Sequence, residues 1–420
     1  TPQLKDAWSP RLARENIDHR IAATAQAQAR AYAEQYAEAH RLLDALVRSE
    51  PYDSGVHNAA AWLAEWRGLP RSAQQQFEYV LAVDPANADA HAGLAAARTA
   101  TGDIAGARNA LEHAEQVDPA HPGAVDARLK YRLATAASVA AAAEHRQDFR
   151  ARQTLTGLRA ATPLVSDHWR LTAGIDWLEG RLDGGGQVSD RWPMVGLQWL
   201  ARDVSAQLAA QRYRYADRTG VAASVEWSVD DHWRVRAGAA SAARDVPLQA
   251  IAAGIHARQA SIGASWRRDE GRLLSLDARR QAFSDGNRRN EVSAAWSERL
   301  REWTDARLSV NALLHSMTNT IDAAPYFNPR RGLTGSAELL YEHAGWRLLD
   351  RWLWHELGVT VGAFDQSGFR TTSIGALRYG LRWRPDTWTD IRLGYLLTRR
   401  AYDGEYGTYH QATLSVLRRF

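Results

Sequence analysis

The sequence predicts an α + β membrane protein in two parts: an N-terminal α-solenoid over residues 1–125 and a 16-stranded antiparallel transmembrane β-barrel over residues 126–420. Three observations lead there. Small residues, glycines and prolines recur every 34 residues in the first part. Beyond about residue 131 the helical period gives way to alternation of apolar and polar residues. The aromatics are skewed, with 17 Trp and 14 Tyr against 7 Phe, the choice that membrane–water interfaces favour.

The charge balance narrows the function classes. Lys and Arg number 52 against 48 Asp and Glu, with no basic run, which argues against a nucleic-acid binder. There is no cysteine, so disulfide frameworks, thiolate metal sites and cysteine nucleophiles are excluded. No run of 18 apolar residues occurs, so no transmembrane helix is expected. The opening "TPQLKDAWSP" has no basic-then-apolar leader; an export signal would lie upstream of it.

Residues 1–125 are rich in Ala, Glu, Gln and Leu, which are strong helix formers. Pro51, Pro85 and Pro119 keep the 34-residue step, as do Ala39, Ala73 and Ala107, and Gly68 and Gly102. Phe77 and Leu111 are matching large residues on the second helix of each unit. Small residues where helices cross, with proline ending the second helix, resemble the tetratricopeptide repeat. The early Trp–Leu–Gly–Tyr pattern of that repeat is poorly kept. Each unit leaves an apolar face for its neighbour to cover, and the stack offers a concave surface to partners. Two or three repeats are near the minimum, so more are expected upstream.

The alternating part begins weakly, then becomes plain. "WRLTAGIDW" puts Trp169, Leu171, Ala173, Ile175 and Trp177 on one face, and "VAASVEWSV" does the same with Val221, Val225 and Trp227. Sixteen such segments follow one another from residue 136 to residue 420, separated by connections that alternate short ("DDHW", "DEGR", "PDTW") and long ("DGGGQVSD", "RDVPLQAIAAGI", "SDGNRRN", "NTIDAAPYFNPRRG", "DGEYG"). Length and alternating connections suit a tilted bilayer crossing with turns on one side and loops on the other. The apolar face carries Trp169, Trp177, Trp227, Trp266, Trp296 and Tyr395, a candidate aromatic girdle. The last segment, "YHQATLSVLRRF", ends on an aromatic, which resembles the sorting signal of outer-membrane barrels. Arg418 falls on the nominally lipid-facing side, where an arginine snorkels to the headgroups.

Repeats followed by a barrel of this size resemble the poly-β-1,6-N-acetylglucosamine export porins of Gram-negative biofilm formers. The resemblance is most specific at "RDVPLQA" (Arg244 to Ala250), "FSDGNRRNE" (Phe283 to Glu291) and "APYFNP" (Ala324 to Pro329). It implies an outer-membrane barrel in lipid, periplasmic repeats that dock a polysaccharide deacetylase, and export of a partly deacetylated, hence partly cationic, exopolysaccharide. A cellulose-type exporter shares the plan but carries a neutral polymer. An anchoring scaffold with a plugged barrel is the alternative from another class.

A barrel of 16 strands encloses an aqueous lumen. By parity its acidic lining includes Asp176, Glu226, Asp277, Glu291, Glu338, Glu342 and Glu356. Carboxylates in series would pass ammonium groups from one to the next. The same parity turns Arg170, Arg234, Arg236, Arg279, Arg307, Arg378, Arg382 and Arg392 inward, so pairing across the wall is the competing expectation. In the loops, Asp245, Val246, Pro247 and Leu248 are candidates for a constriction because the stretch is too apolar for a solvated loop. Asp285, Asn287, Tyr326 and Phe327 are candidates for polymer contact. Enzymatic readings find little: "HELGV" (His355 to Val359) lacks the second histidine of a zinc-protease helix and sits on a strand. Neither a phosphate loop, nor a metal spacing, nor a cofactor motif is apparent.

Overall fold

The structure, a computed structural model, describes residues 10–148 and 150–420. The expectation for residues 1–9 lies outside them. The chain divides into two compact units, Thr1–Ala134 and Thr135–Phe420.

Seven helices build the first unit: α1 (Pro10–Tyr32), α2 (Tyr36–Ser49), α3 (Ser54–Trp66), α4 (Pro70–Val83), α5 (Ala88–Thr101), α6 (Ile104–Val117) and α7 (Pro122–Thr135). The expected boundary at 125/126 falls inside α7, because Ala124 and Ala127 continue the buried stripe of small residues. The side chains of Asp53, Asn87 and Asp103 cap α3, α5 and α6 by accepting the backbone N–H three residues on. Ala39, Ala73 and Ala107 are fully buried, and Phe77 shares one core with Ala73 and Trp62, its ring edge-on to the indole. Gly68 and Gly102 take φ of 70° and 80° between paired helices. Glu34 stands one step earlier with φ 60°. The left-handed turn thus recurs where the sequence lacks the glycine that would have revealed it.

The second unit is a closed barrel in which every strand pairs antiparallel with its sequence neighbours and the last with the first. Its strands are β1 (Ser138–Gln147), β2 (Ala151–Ala161), β3 (Trp169–Leu182), β4 (Gln187–Ala201), β5 (Val204–Tyr213), β6 (Arg218–Ser228), β7 (Trp233–Ala240) and β8 (Ala257–Arg267). The second half comprises β9 (Arg272–Phe283), β10 (Arg288–Glu302), β11 (Ala306–Thr318), β12 (Arg331–Leu348), β13 (Arg351–Gln366), β14 (Thr372–Asp386), β15 (Thr389–Tyr402) and β16 (Glu405–Arg419). A short helix, α8 (Leu248–Ala252), lies in the connection after β7.

Parity holds along the wall except at three register shifts, between Arg299 and Arg301, Ala344 and Trp346, and Trp383 and Asp386. Leu171, Trp227, Ile262, Trp296, Val361 and Tyr395 are exposed on the outer face, where lipid supplies their apolar surroundings. Arg418 lies at the rim by the chain end and pairs with Asp386 at 2.8 Å. The alternation of short and long connections is weaker than the sequence suggested. Only 241–256 and 319–330 are long; of "DGGGQVSD", "SDGNRRN" and "DGEYG", just four, four and two residues lie between strands and the rest join the sheet. Polar residues at these ends stay in register, Leu178 opposite Asp190 and Glu179 opposite Ser189, because a paired backbone is satisfied whatever its side chains. All eight connections of the set holding both long loops lie at the rim away from the chain end.

Candidate functional site

The lumen narrows because β7 stops early. It ends at Ala240 after eight residues, and the following loop enters the barrel. Ala242, Ala243, Val246, Leu248, Ala250 and Ile251 are buried in one cluster with Leu178, Val188, Trp192 and Tyr213, inward-facing side chains of β3, β4 and β5. Gly180 makes this approach available: a Cβ there would come within 2.5 Å of a Leu248 methyl.

Polar groups fix the same loop. Asp176 is fully buried, with Arg159 and Arg244 each at 3.0 Å and the Gln211 amide at 3.2 Å. Burial lowers the pKa of Arg244, against the pull of Asp176. On the far side Gln281 donates to the Asp245 carbonyl at 2.9 Å, and Arg279 meets the Asp245 carboxylate at 2.6 Å. Val246 and Leu248 are thus buried against the inner wall, and Asp245 ties their loop to β9. Asp176, expected on the polymer path, lies instead beneath the loop and anchors it.

The second long loop is pinned by Asn287, also fully buried, whose amide nitrogen faces Asn328 Oδ1 at 2.6 Å, Asn319 Oδ1 at 3.0 Å and Tyr326 Oη at 3.2 Å. Tyr326 donates to Asp285 at 2.9 Å and stacks on Phe283 with ring centroids 5.0 Å apart. Burial pushes its phenol up to about 12, so it remains a donor. Arg289 lies over both rings and donates to the Phe327 carbonyl at 2.6 Å. Asp285, Asn287 and Tyr326 are thus occupied with the loop itself. Phe327 lines the lumen side of the loop, with Tyr402 edge-on to it at 4.9 Å, Phe364 at 6.4 Å and the Arg150 guanidinium 6.0 Å from its ring. Between the two loops remains a cavity of about 360 Å³ whose lining includes Arg279, Arg400, Phe327, Phe364 and Tyr402.

Deeper in the barrel the opposite wall is charged. Arg378 on β14 reaches Glu338 on β12 at 2.9 Å and Glu356 on β13 at 3.4 Å. Arg382 lies 2.5 Å from both Glu342 and Glu356. Gly358 lets the first contact cross β13, since a Cβ there would fall 2.4 Å from Glu338 Oε1. Glu342 and Glu356 are direct cross-strand partners, an arrangement that is unfavourable without a bridging cation.

The remaining carboxylates are paired as well. Glu226 meets Arg234 at 3.4 Å, Asp277 meets Arg236 at 2.5 Å, and Glu291 lies 2.6 Å from Arg279 and 3.8 Å from His315. The expected ladder of free carboxylates is therefore a set of ion pairs, because arginines share the parity and lie within reach across one or two strands. Glu291 is buried besides. Sequence reasoning passed over Arg159 and Arg400, which parity also turns inward, on β2 and β15. It had no means of finding Trp192 and Gln211, whose roles depend on where the loop lands.

Comparison with known proteins fits this geometry. The model of the PgaA membrane beta barrel domain matches residues 134–420, and that of a tetratricopeptide repeat matches residues 67–129. The poly-beta-1,6-N-acetyl-D-glucosamine export proteins of Escherichia coli K12 and of Escherichia coli O157:H7 are each 26% identical over 374 residues. That alignment covers 86% of this chain and 45% of each relative, so the chain spans less than half the length of these proteins. A solved bacterial polysaccharide outer membrane secretin superposes with a TM-score of 0.62 at 23% identity, over 68% of this chain and 99% of that one; at that identity the likeness concerns the fold. With its closed 16-stranded wall and its preceding repeats, the chain belongs to the family of the PgaA membrane beta barrel domain, and its barrel is an outer-membrane barrel.

Proposed function

We propose that the chain is the channel part of an exopolysaccharide exporter, carrying a partly deacetylated poly-β-1,6-N-acetylglucosamine, as the names of its relatives suggest. The observation that carries the charge reading is the wall of β12–β14, where three carboxylates, Glu338, Glu342 and Glu356, share two arginines, Arg378 and Arg382. An excess carboxylate in a low-dielectric wall attracts a cation. The ammonium of a glucosamine unit can replace one arginine contact at a time, so the polymer is held at several weak positions and trapped at none. Glu226 and Asp277 serve as further stations, each with one exchangeable arginine. Asp176 and Glu291 shape the passage from behind.

The repeats lie in the periplasm in this reading and dock a polysaccharide deacetylase, in keeping with the partner-binding use of stacked helical repeats. One observation favours a second reading, a plugged anchoring scaffold: the 241–256 loop fills one side of the lumen.

Conductance of the full chain in planar bilayers tests these readings. Block by cationic glucosamine oligomers, weakened by salt and by Glu338→Gln with Glu356→Gln, supports the charge-guided channel. Equal block by neutral β-linked glucose oligomers, indifferent to those changes, supports a cellulose-type exporter. Absence of conductance, restored by deleting residues 246–254, supports the plug.

A further inference from the structure

The mouth cavity holds a cation, Arg400, that among the described residues makes no ion-pair contact with a carboxylate, although the charge of Asp148 in the same lining acts on it through space. Arg400, inward on β15, lies with its guanidinium 4.4 Å from the Tyr402 ring and 5.6 Å from the Tyr409 ring. Its Nε is buried and has no hydrogen-bond partner. Among the described residues no carboxylate pairs with it, whereas Arg279 in the same lining meets both Asp245 and Glu291. Arg289, close by, also lacks a carboxylate and commits its donors to Asn319 and the Phe327 carbonyl. The rings of Phe327 and Tyr402 bound the same space.

These groups select a type of ligand. A planar donor held flat between rings calls for an acceptor oxygen. Aromatic faces suit the apolar C–H face of a sugar ring, and the Arg150 guanidinium, 6.0 Å from the Phe327 ring and 5.6 Å from the Tyr402 ring, swings aside to admit one. A free ammonium group is disfavoured beside an unpaired guanidinium in a confined, poorly solvated space. We propose that this cavity is a saccharide subsite for an N-acetylated unit, in which Arg400 donates to the acetamido carbonyl oxygen and Phe327 and Tyr402 receive the sugar face. The proposal rests on the polysaccharide-channel reading and adds a division of labour to it. Acetylated units are read at the mouth by Arg400, and deacetylated units are carried along the charged wall of β12–β14.

The test uses the full chain in planar bilayers, with short β-1,6-linked N-acetylglucosamine oligomers added on the loop side and their fully deacetylated counterparts as the second probe. Arg400→Gln is expected to shorten the dwell of the acetylated oligomer about tenfold, the effect of losing one charged hydrogen bond. It should leave the dwell of the deacetylated oligomer unchanged or lengthen it. Arg400→Lys, which keeps the charge but loses the planar fork, is expected to fall between wild type and Gln. Retention of a heat-modifiable folded band shows that each variant is intact. Block by acetylated oligomers that does not change in Arg400→Gln overturns the subsite and leaves the channel reading standing. Stronger block by carboxylate-bearing oligomers than by acetylated ones assigns the site to an anion and overturns it too. No block of wild type by any saccharide overturns both readings together.

Discussion

The β3–β5 sector and the β12–β14 sector are built from the same alternation, yet they face the lumen differently. In the first, inward Leu178, Trp192 and Tyr213 are covered by a loop, and a buried carboxylate, Asp176, holds two arginines beneath it. In the second nothing covers the wall, and Glu338, Glu356 and Glu342 share Arg378 and Arg382 across neighbouring strands. A lumenal carboxylate is therefore not one kind of residue. Beneath the loop it is locked by two arginines; on the wall of β12–β14 it shares its arginines with neighbouring carboxylates, which is what the proposed exchange with a cationic polymer requires.

Four experiments sharpen that contrast or break it. The largest effect is expected from deleting residues 246–254, which removes α8: single-channel conductance should rise severalfold, and an unchanged conductance would mean that the loop does not set the narrow section. Next comes Asp176→Asn. It leaves Arg159 and Arg244 without their buried counter-charge, and removing one partner of a buried pair costs about 3–5 kcal/mol; the urea midpoint of the folded band should fall and open-channel noise should rise. Leu248→Ala follows, with a loss of about 2–4 kcal/mol for a truncated buried leucine, read in the same denaturation together with a modest gain in conductance. The smallest effect on stability is expected from Glu356→Gln, about 1 kcal/mol or less for a partly exposed ion pair, because Arg378 and Arg382 keep Glu338 and Glu342. Its signature is a loss of cation preference in the reversal potential under a salt gradient. Equal destabilisation by Asp176→Asn and Glu356→Gln would remove the distinction between the two sectors.

Much of the fold was legible because it follows from periodicity. The 34-residue step placed Ala39, Ala73 and Ala107 in the solenoid core, and alternation placed each carboxylate on the lumenal side. What could not be read was distance. Parity gives the face of a strand but not the register between strands, so the contact of Arg378 with Glu338 across Gly358, two strands away, has no signature in either segment alone. The apolar character of "RDVPLQAIAAGI" hinted at an inward loop. Its landing place on Gly180 and Trp192 depends on residues more than 50 positions earlier. Asn287 and Tyr326 looked like exposed loop chemistry, because turn-rich sequence reads the same whether its polar groups meet solvent or one another.

The seam between β1 and β16 carries a consequence for how the molecule comes into being. Ser138 lies opposite Arg419, Gln411 reaches back to Glu144 at 2.5 Å, and the amide of Phe420 bonds to the carbonyl of Ala137. These partners are the most distant in the barrel sequence, so the cylinder cannot shut until β16 has reached β1, and loop-closure entropy makes this step late and slow. Until then β1 and β16 both present unpaired edges, which lipid cannot satisfy and which stray chains can. The unclosed barrel must be chaperoned through that interval, and loss of β16 would leave the sheet permanently ajar.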